Sequence, residues 1–183
     1  MIVNEFNAET LLGFINSLVE SEFGHRPIRL LDIQTGLGRF VKYNESNQDY
    51  VIIGCEGNPN LKARSVTQNV ILHDIVKKTL DINVDVTTSF NIAEHVREED
   101  QYMFWNNISK LGRFHFCSIG VCEDHDDSHK FIRRTDWWVS YFINKFGIQD
   151  IWILQRPGKH IANTDLYRLA KIPCDSAVFL IEW

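Results

Sequence analysis

Apolar positions fall into two textures along the chain. Near the start, Leu11, Leu12, Phe14, Ile15, Leu18 and Val19 recur at helical spacing, with Asn7 placed to cap the helix and Gly24 to stop it. Downstream the apolar residues bunch into short runs at 28–33, 50–56, 69–75, 84–90, 113–121, 148–155 and 176–183, each closed by a polar or glycine cluster. Several runs are nearly continuous in apolar residues, as strands covered on both faces must be. Helix-compatible stretches lie between them, at 37–43, 59–67, 98–111 and 135–146. Pro59 suits a first helical turn, where its missing N–H would be unpaired anyway. Strand and helix alternating in this way predict an α/β fold with a doubly wound, mostly parallel sheet of seven strands and helices on both faces. A long irregular span, 156–175, separates the last two strands and predicts an antiparallel pair at one sheet edge rather than another crossover.

The 183 residues contain no repeat and no Pro/Gly/Ser linker, so a single domain is expected. It divides into an N-terminal helical segment (1–25), a core (28–155) and a C-terminal loop with an edge strand (156–183). A net charge of −5 argues against generic nucleic-acid or acidic-membrane binding, either of which favours a basic face. No apolar run is long enough to cross a bilayer, and the first residues lack a signal-peptide pattern. A cytoplasmic protein is the expectation. Its four cysteines, Cys55, Cys117, Cys122 and Cys174, form no C-x-x-C pair and read as reduced, buried thiols.

In a sheet of this kind a ligand lies at the carboxyl ends of the strands, near the point where strand order reverses. The first strand ends in Asp32-Ile33-Gln34-Thr35-Gly36-Leu37-Gly38, an acid followed by a glycine turn that lets backbone approach a ligand. The Gly-Lys-Ser/Thr ending of a phosphate-binding P-loop is missing. The second strand ends in Glu56-Gly57-Asn58, an acid placed where α/β nucleoside sites bind ribose hydroxyls. The third run ends in His73-Asp74-Ile75, an acid for an amino group beside an apolar residue for a base face. The fourth leads through Ser89-Phe90-Asn91 to Glu94-His95. Each could be an ordinary strand-end polar residue; what distinguishes them is their order.

Taken together these segments resemble class I S-adenosylmethionine-dependent methyltransferases, the Rossmann-like group in which strand four leads to "EH". LLDIQTGLGRF is similar to motif I, IIGCEGNPNL to motif II, NVILHDI to motif III and DVTTSFNIAEHV to motif IV; SHKFIRRTDWW with FINKFGI resembles a later stretch. The resemblance spans about two thirds of the chain, Arg29 to Gln155. It implies S-adenosyl-L-methionine as cofactor, held by Asp32, Gln34, Thr35, Gly36, Gly38, Glu56, Gly57, Asn58, Asp74, Ile75, Ser89 and Asn91. Within that set, Glu56 would bind the ribose hydroxyls, Asp74 the adenine amine and Ile75 its ring. One position departs from the pattern: Gln34 stands where motif I has its first glycine, crowding or hydrogen-bonding the methionine end of the cofactor.

Methyl transfer from a sulfonium is an in-line displacement that needs a base only if the acceptor loses a proton. His95, next to the expected methyl, is the candidate base; the alternative is that Glu94-His95 only orients the helix behind it. His125, His129, Arg133 and Trp137 are candidate acceptor contacts. The acids and histidines of 122–129 could ligate a divalent cation, but a solvated acidic loop is the simpler reading, and no metal site is assigned. Trp137 and Trp138 are adjacent in a helix-compatible stretch, so one of them is expected in the core. The prolines of amino-methyltransferases are missing after strand four, and 183 residues leave little for a nucleic-acid target region. The expected activity is O- or N-methylation of a small or sugar-like acceptor. Three alternatives stand beside it: a methyltransferase fold kept as a binding module without turnover, and an RNA or a protein methyltransferase completed by a partner. With the core using nearly all of the chain, the acceptor is expected to be small, or a homodimer or partner subunit to complete the site.

Overall fold

A computed structural model describes residues 12–13, 15–16, 22–24, 26–121, 128–155 and 176–183. Asn7, the 122–127 part of the acidic loop with His125, Cys122, Cys174 and the 156–175 loop lie outside the described residues.

Seven strands form one sheet: β1 (Ile28–Ile33), β2 (Tyr50–Glu56), β3 (Val70–Leu72), β4 (Val86–Phe90), β5 (Phe114–Gly120), β6 (Ile151–Gln155) and β7 (Ser176–Glu182). The strand order is β3-β2-β1-β4-β5-β7-β6. β1 through β5 pair in parallel, whereas β7 runs antiparallel to both β5 and β6. The antiparallel pairing therefore sits at one end of the sheet, as expected, with β7 inserted beside β5 and β6 outermost. Among the described residues lie the helices α1 (Arg39–Tyr43), α2 (Pro59–Ala63), α3 (Gln101–Ile108) and α4 (Thr135–Phe146). None of the described helices is long and apolar enough to cross a membrane.

Alternation along each strand sends side chains to two apolar layers. Ile28 and Leu30 of β1 join Leu12, Ile15, Phe40 and Val41 on one face; Leu31 and Ile33 join Trp105, Trp138 and Phe142 on the other. The buried positions 12 and 15 are three apart, so the helical spacing near the N-terminus marks a face that packs against the sheet. Trp138 is fully buried and Trp137 only half-buried, which places one of the pair in the core. Cys55 and Cys117 are buried, and burial pushes their thiols up, Cys55 to about 12. Both are structural thiols.

Several elements are shorter than the apolar runs suggest, for local reasons. β3 stops at Leu72 because Asp74 builds a turn: its carboxylate accepts from Val76 N (3.1 Å) and its carbonyl from Lys77 N (3.1 Å). β4 begins at Val86 because the Asp85 side chain accepts from the Arg29 backbone N–H (2.7 Å), displacing a ladder bond. α1 starts only at Arg39, after Gly38 turns the chain with φ 72°. α2 is capped as expected, with Pro59 in its first turn and the Asn58 side chain accepting from Asn60 N. It ends at Ala63, where Ser65 and Thr67 turn the chain through their hydroxyls. Glu98–Asp100 is a 3-10 turn leading into α3 rather than part of it.

Candidate cofactor site

A cavity of about 840 Å³ opens at the carboxyl ends of β1, β2 and β4. Strand order reverses between β1 and β4, the place where α/β sheets bind ligands. The volume falls in the range of small-molecule and cofactor pockets. Its wall includes Asp32 through Leu37 from the β1 turn and Arg39, Phe40, Glu56, Asn58 and Leu61 from the next two helix–strand units. Phe90, Asn91, Ile92, His95 and Ser128 close the other side.

Two side chains lock the β1 and β2 turns together. The buried Glu56 carboxylate accepts from Gly36 N (2.9 Å) with one oxygen and from Asn58 N (2.7 Å) with the other. Each oxygen has a second lone pair that remains able to accept. Gln34 Oε1 accepts from Gly57 N at 3.3 Å. Gln34 also holds φ at 57°, in the left-handed region, which explains why this turn position favours glycine. The Gln34 side chain is part of the cavity wall and bridges to the β2 turn.

Asp32 is buried and accepts from Thr88 Oγ1 at 2.8 Å. Burial raises its carboxyl to about 6, with the nearby Glu56 charge adding to the rise and the Thr88 hydroxyl opposing it. A carboxylate in this condition gains most from a cationic ligand group. The glycines divide the remaining work. A Cβ on Gly36 (φ 63°) would meet no protein atom within 4 Å, so its bare Cα gives the turn an open side. On Gly38 a Cβ would fall 2.7 Å from Val70 Cγ2, so this glycine lets α1 pack tightly on β3. Gly54, inside β2, makes room for Thr35 in the same way, with a Cβ 2.6 Å from Thr35 Cγ2.

Of the residues the sequence singled out, Asp32, Gln34, Thr35, Gly36, Glu56, Asn58, Asn91 and His95 line the cavity. Gly57 and Asp74 adjoin it: a Cβ on Gly57 would lie 3.6 Å from both Asp74 Cα and Gln34 Nε2. The Asp74 carboxylate is ion-paired with Lys77 at 2.8 Å, and Ile75 is buried in the core. Ser89 points away from the cavity, to His115 Nε2 at 3.0 Å. Arg133 pairs with Glu98 and lies over the Phe131 ring, while Trp137 stacks on Tyr141. Neither belongs to the cavity wall. His129 sits beside His95, ring centroids 4.8 Å apart. The sequence reading missed Ile33, Leu37, Arg39, Phe40, Leu61, Phe90, Ile92 and Ser128. All but Phe40 and Leu61 adjoin residues it named, and they become wall residues only through the crossover geometry.

No protein-family model matches this chain, and no curated protein sequence matches it. Solved structures do. A SAM-dependent methyltransferase from Archaeoglobus fulgidus superposes with a TM-score of 0.63 at 15% identity, over 96% of this chain and 94% of that one. The methyltransferase domain of bacterial CtHen1 gives 0.67 at 11% identity, over the whole of both chains. The plantazolicin methyltransferase BpumL, in complex with SAH, gives 0.66 at 14% identity, over 97% of this chain and 82% of that one. The chain thus has the class I, Rossmann-like methyltransferase fold.

Proposed function

We propose that the protein is an S-adenosylmethionine-dependent methyltransferase acting on a small or sugar-like acceptor. The observation that carries this reading is the pair of buried carboxylates at adjacent strand ends, Asp32 and Glu56, facing one cavity at the strand-order switch of a methyltransferase fold. The cofactor offers complementary groups at matching places. Its ribose diol would donate to the free lone pairs of Glu56, and its ammonium would pair with Asp32, offsetting that carboxylate's burial. The open side of Gly36 admits the chain between them. Gln34, drawn aside to Gly57, leaves room for the methionine end.

The bound cofactor supplies a methyl group on a sulfonium. Phe90, Ile92 and the body of Phe40 would keep water from that end, and His95 stands on the same side of the cavity as Phe90 and Ile92. As a neutral imidazole it can take a proton from an acceptor hydroxyl or amine as the methyl moves. His129, beside it, would line the acceptor side.

Incubation with labelled S-adenosylmethionine and a panel of sugars, phenols and amines tests this. Label transferred to an acceptor by the intact chain, and lost in Asp32→Ala, supports the reading. Cofactor binding without transfer to any class would favour a binding module instead.

A further inference from the structure

Asp32 and Thr88 are direct neighbours across the β1–β4 pair, where strand order reverses. Thr88 Oγ1 donates to Asp32 Oδ1 at 2.8 Å, and both residues are buried, Thr88 completely. We infer that Thr88 is a positioning residue of the cofactor site: its hydroxyl fixes one Asp32 oxygen so that the other is offered to the cofactor's ammonium. This role rests on the methyltransferase reading and deepens it, because it sets the pH range in which the site takes its cofactor.

Packing alone does not call for a threonine here. Alternation along β4 sends Thr87 and Ser89 to one face, where both meet His115, and Val86, Thr88 and Phe90 to the other. On that second face Val86 and Phe90 belong to the apolar layer with Leu30 and Phe116. A valine at 88 would fill the same volume with no hydroxyl to satisfy. The bond to Asp32 is the one hydrogen bond that the Thr88 side chain makes among the described residues. Two positions on, Phe90 is already part of the cavity wall, as Asp32 is.

An acid buried between apolar layers favours its neutral form. Asp32 is faced by Thr35 from its own turn, by Thr88 from β4 and by Glu56 from β2. Burial raises its carboxyl to about 6; the threonine hydroxyls pull the other way, and the Glu56 charge adds to the rise. Thr35 Oγ1 completes no hydrogen bond among the described residues, so the directed bond comes from Thr88. A hydroxyl donating to the ionised carboxylate keeps it charged at neutral pH and held in one orientation, so that an arriving ammonium meets an anion already in place.

Calorimetric titration of S-adenosylhomocysteine, which carries the same ammonium, tests this by comparing the intact chain with Thr88→Val and Thr88→Ser between about pH 5 and about 8.5. Valine keeps the shape and loses the donor. In Thr88→Val the pH at which binding strengthens should move up from about 6 by about one to two units, with binding at pH 7 weakened roughly 2- to 10-fold and the loss fading towards about pH 8.5. Thr88→Ser, which keeps the hydroxyl, should restore both. Thermal melting checks each fold, and Thr88→Ala carries the test if Thr88→Val does not fold. A role in packing alone would lower the melting temperature and leave the pH midpoint in place. A folded Thr88→Val with unchanged midpoint and affinity, or a folded Thr88→Ser no better than valine, overturns the role and leaves the cofactor reading standing. Failure of the intact chain to bind S-adenosylhomocysteine overturns the cofactor reading, and the role with it.

Discussion

Glu56 Oε2 accepts a 2.9 Å hydrogen bond from the Gly36 backbone N–H, joining the turn after β1 to the end of β2 through a buried carboxylate. The same side chain holds Asn58 N, the cap of α2. One residue thus shapes the cavity before any ligand arrives. Glu56→Ala should lower stability by about 2–4 kcal/mol, from two lost charge-assisted bonds and donors left without them. Urea unfolding measures it. A loss below about 0.5 kcal/mol would mean the two turns are held by something else.

Gln34 combines an unfavourable backbone with a useful side chain, and two substitutions separate the effects. Gln34→Ala keeps the left-handed strain and loses the bond to Gly57 N. Gln34→Gly loses the same bond but relieves the strain. The glycine variant should therefore be more stable than the alanine variant by about 1 kcal/mol. Equal melting temperatures would show that φ at this position is not strained.

Gly36 and Gly38 both hold positive φ but face different surroundings. Gly36→Ala should cost about 1–2 kcal/mol of stability, from strain alone, and weaken cofactor binding because the new methyl enters the cavity. Gly38→Ala adds a clash with Val70 to the strain, so its stability loss should be larger by about 1–3 kcal/mol. Paired melting curves and S-adenosylhomocysteine titrations separate the two. The reverse order of stabilities would contradict the assigned packing.

Two buried groups give opposite pH slopes. Burial raises Asp32 from 3.8 to about 6, so the folded chain holds a proton that the unfolded chain releases. Stability from this residue therefore falls as pH rises from about 4 to 6, by on the order of 3 kcal/mol in all. His115, bonded to Thr87 and Ser89, is pushed by burial from 6.5 to about 3. Here the unfolded chain binds the proton, and stability falls as pH drops from about 6.5 towards 3. Between pH 4 and 6 the two oppose each other. Asp32→Asn should remove the first slope and make acid unfolding steeper across that window, read by urea unfolding at a series of pH values. An unchanged pH profile would place Asp32 in contact with solvent.

Much of the fold was legible because strands covered on both faces must be apolar throughout. The runs at 28–33 and 50–56 match β1 and β2 residue for residue, and 135–146 matches α4. What composition cannot carry is side-chain competition for backbone: Asp74 and Asp85 each shortened a strand by taking an N–H. The insertion of β7 beside β5 was equally hidden, because strand neighbours are a tertiary choice. In the site, the strand-end acids were readable from position alone. Ser89 was misleading because side chains alternate along a strand, and its neighbours Thr88 and Phe90 face the cavity side instead. His95 and His129 were each visible, but their pairing depends on two backbone bonds to the Glu94 carbonyl.

Calorimetric titration of S-adenosylhomocysteine tests most directly whether Asp32 and Glu56 face a nucleoside cofactor. One equivalent should bind the intact chain, more tightly as pH rises through about 6, where Asp32 ionises. Glu56→Gln, checked for fold by melting, should weaken binding on the order of 10–100-fold, and Asp32→Asn should flatten the pH dependence. No binding to the intact chain, or an affinity untouched by both substitutions, would contradict the account.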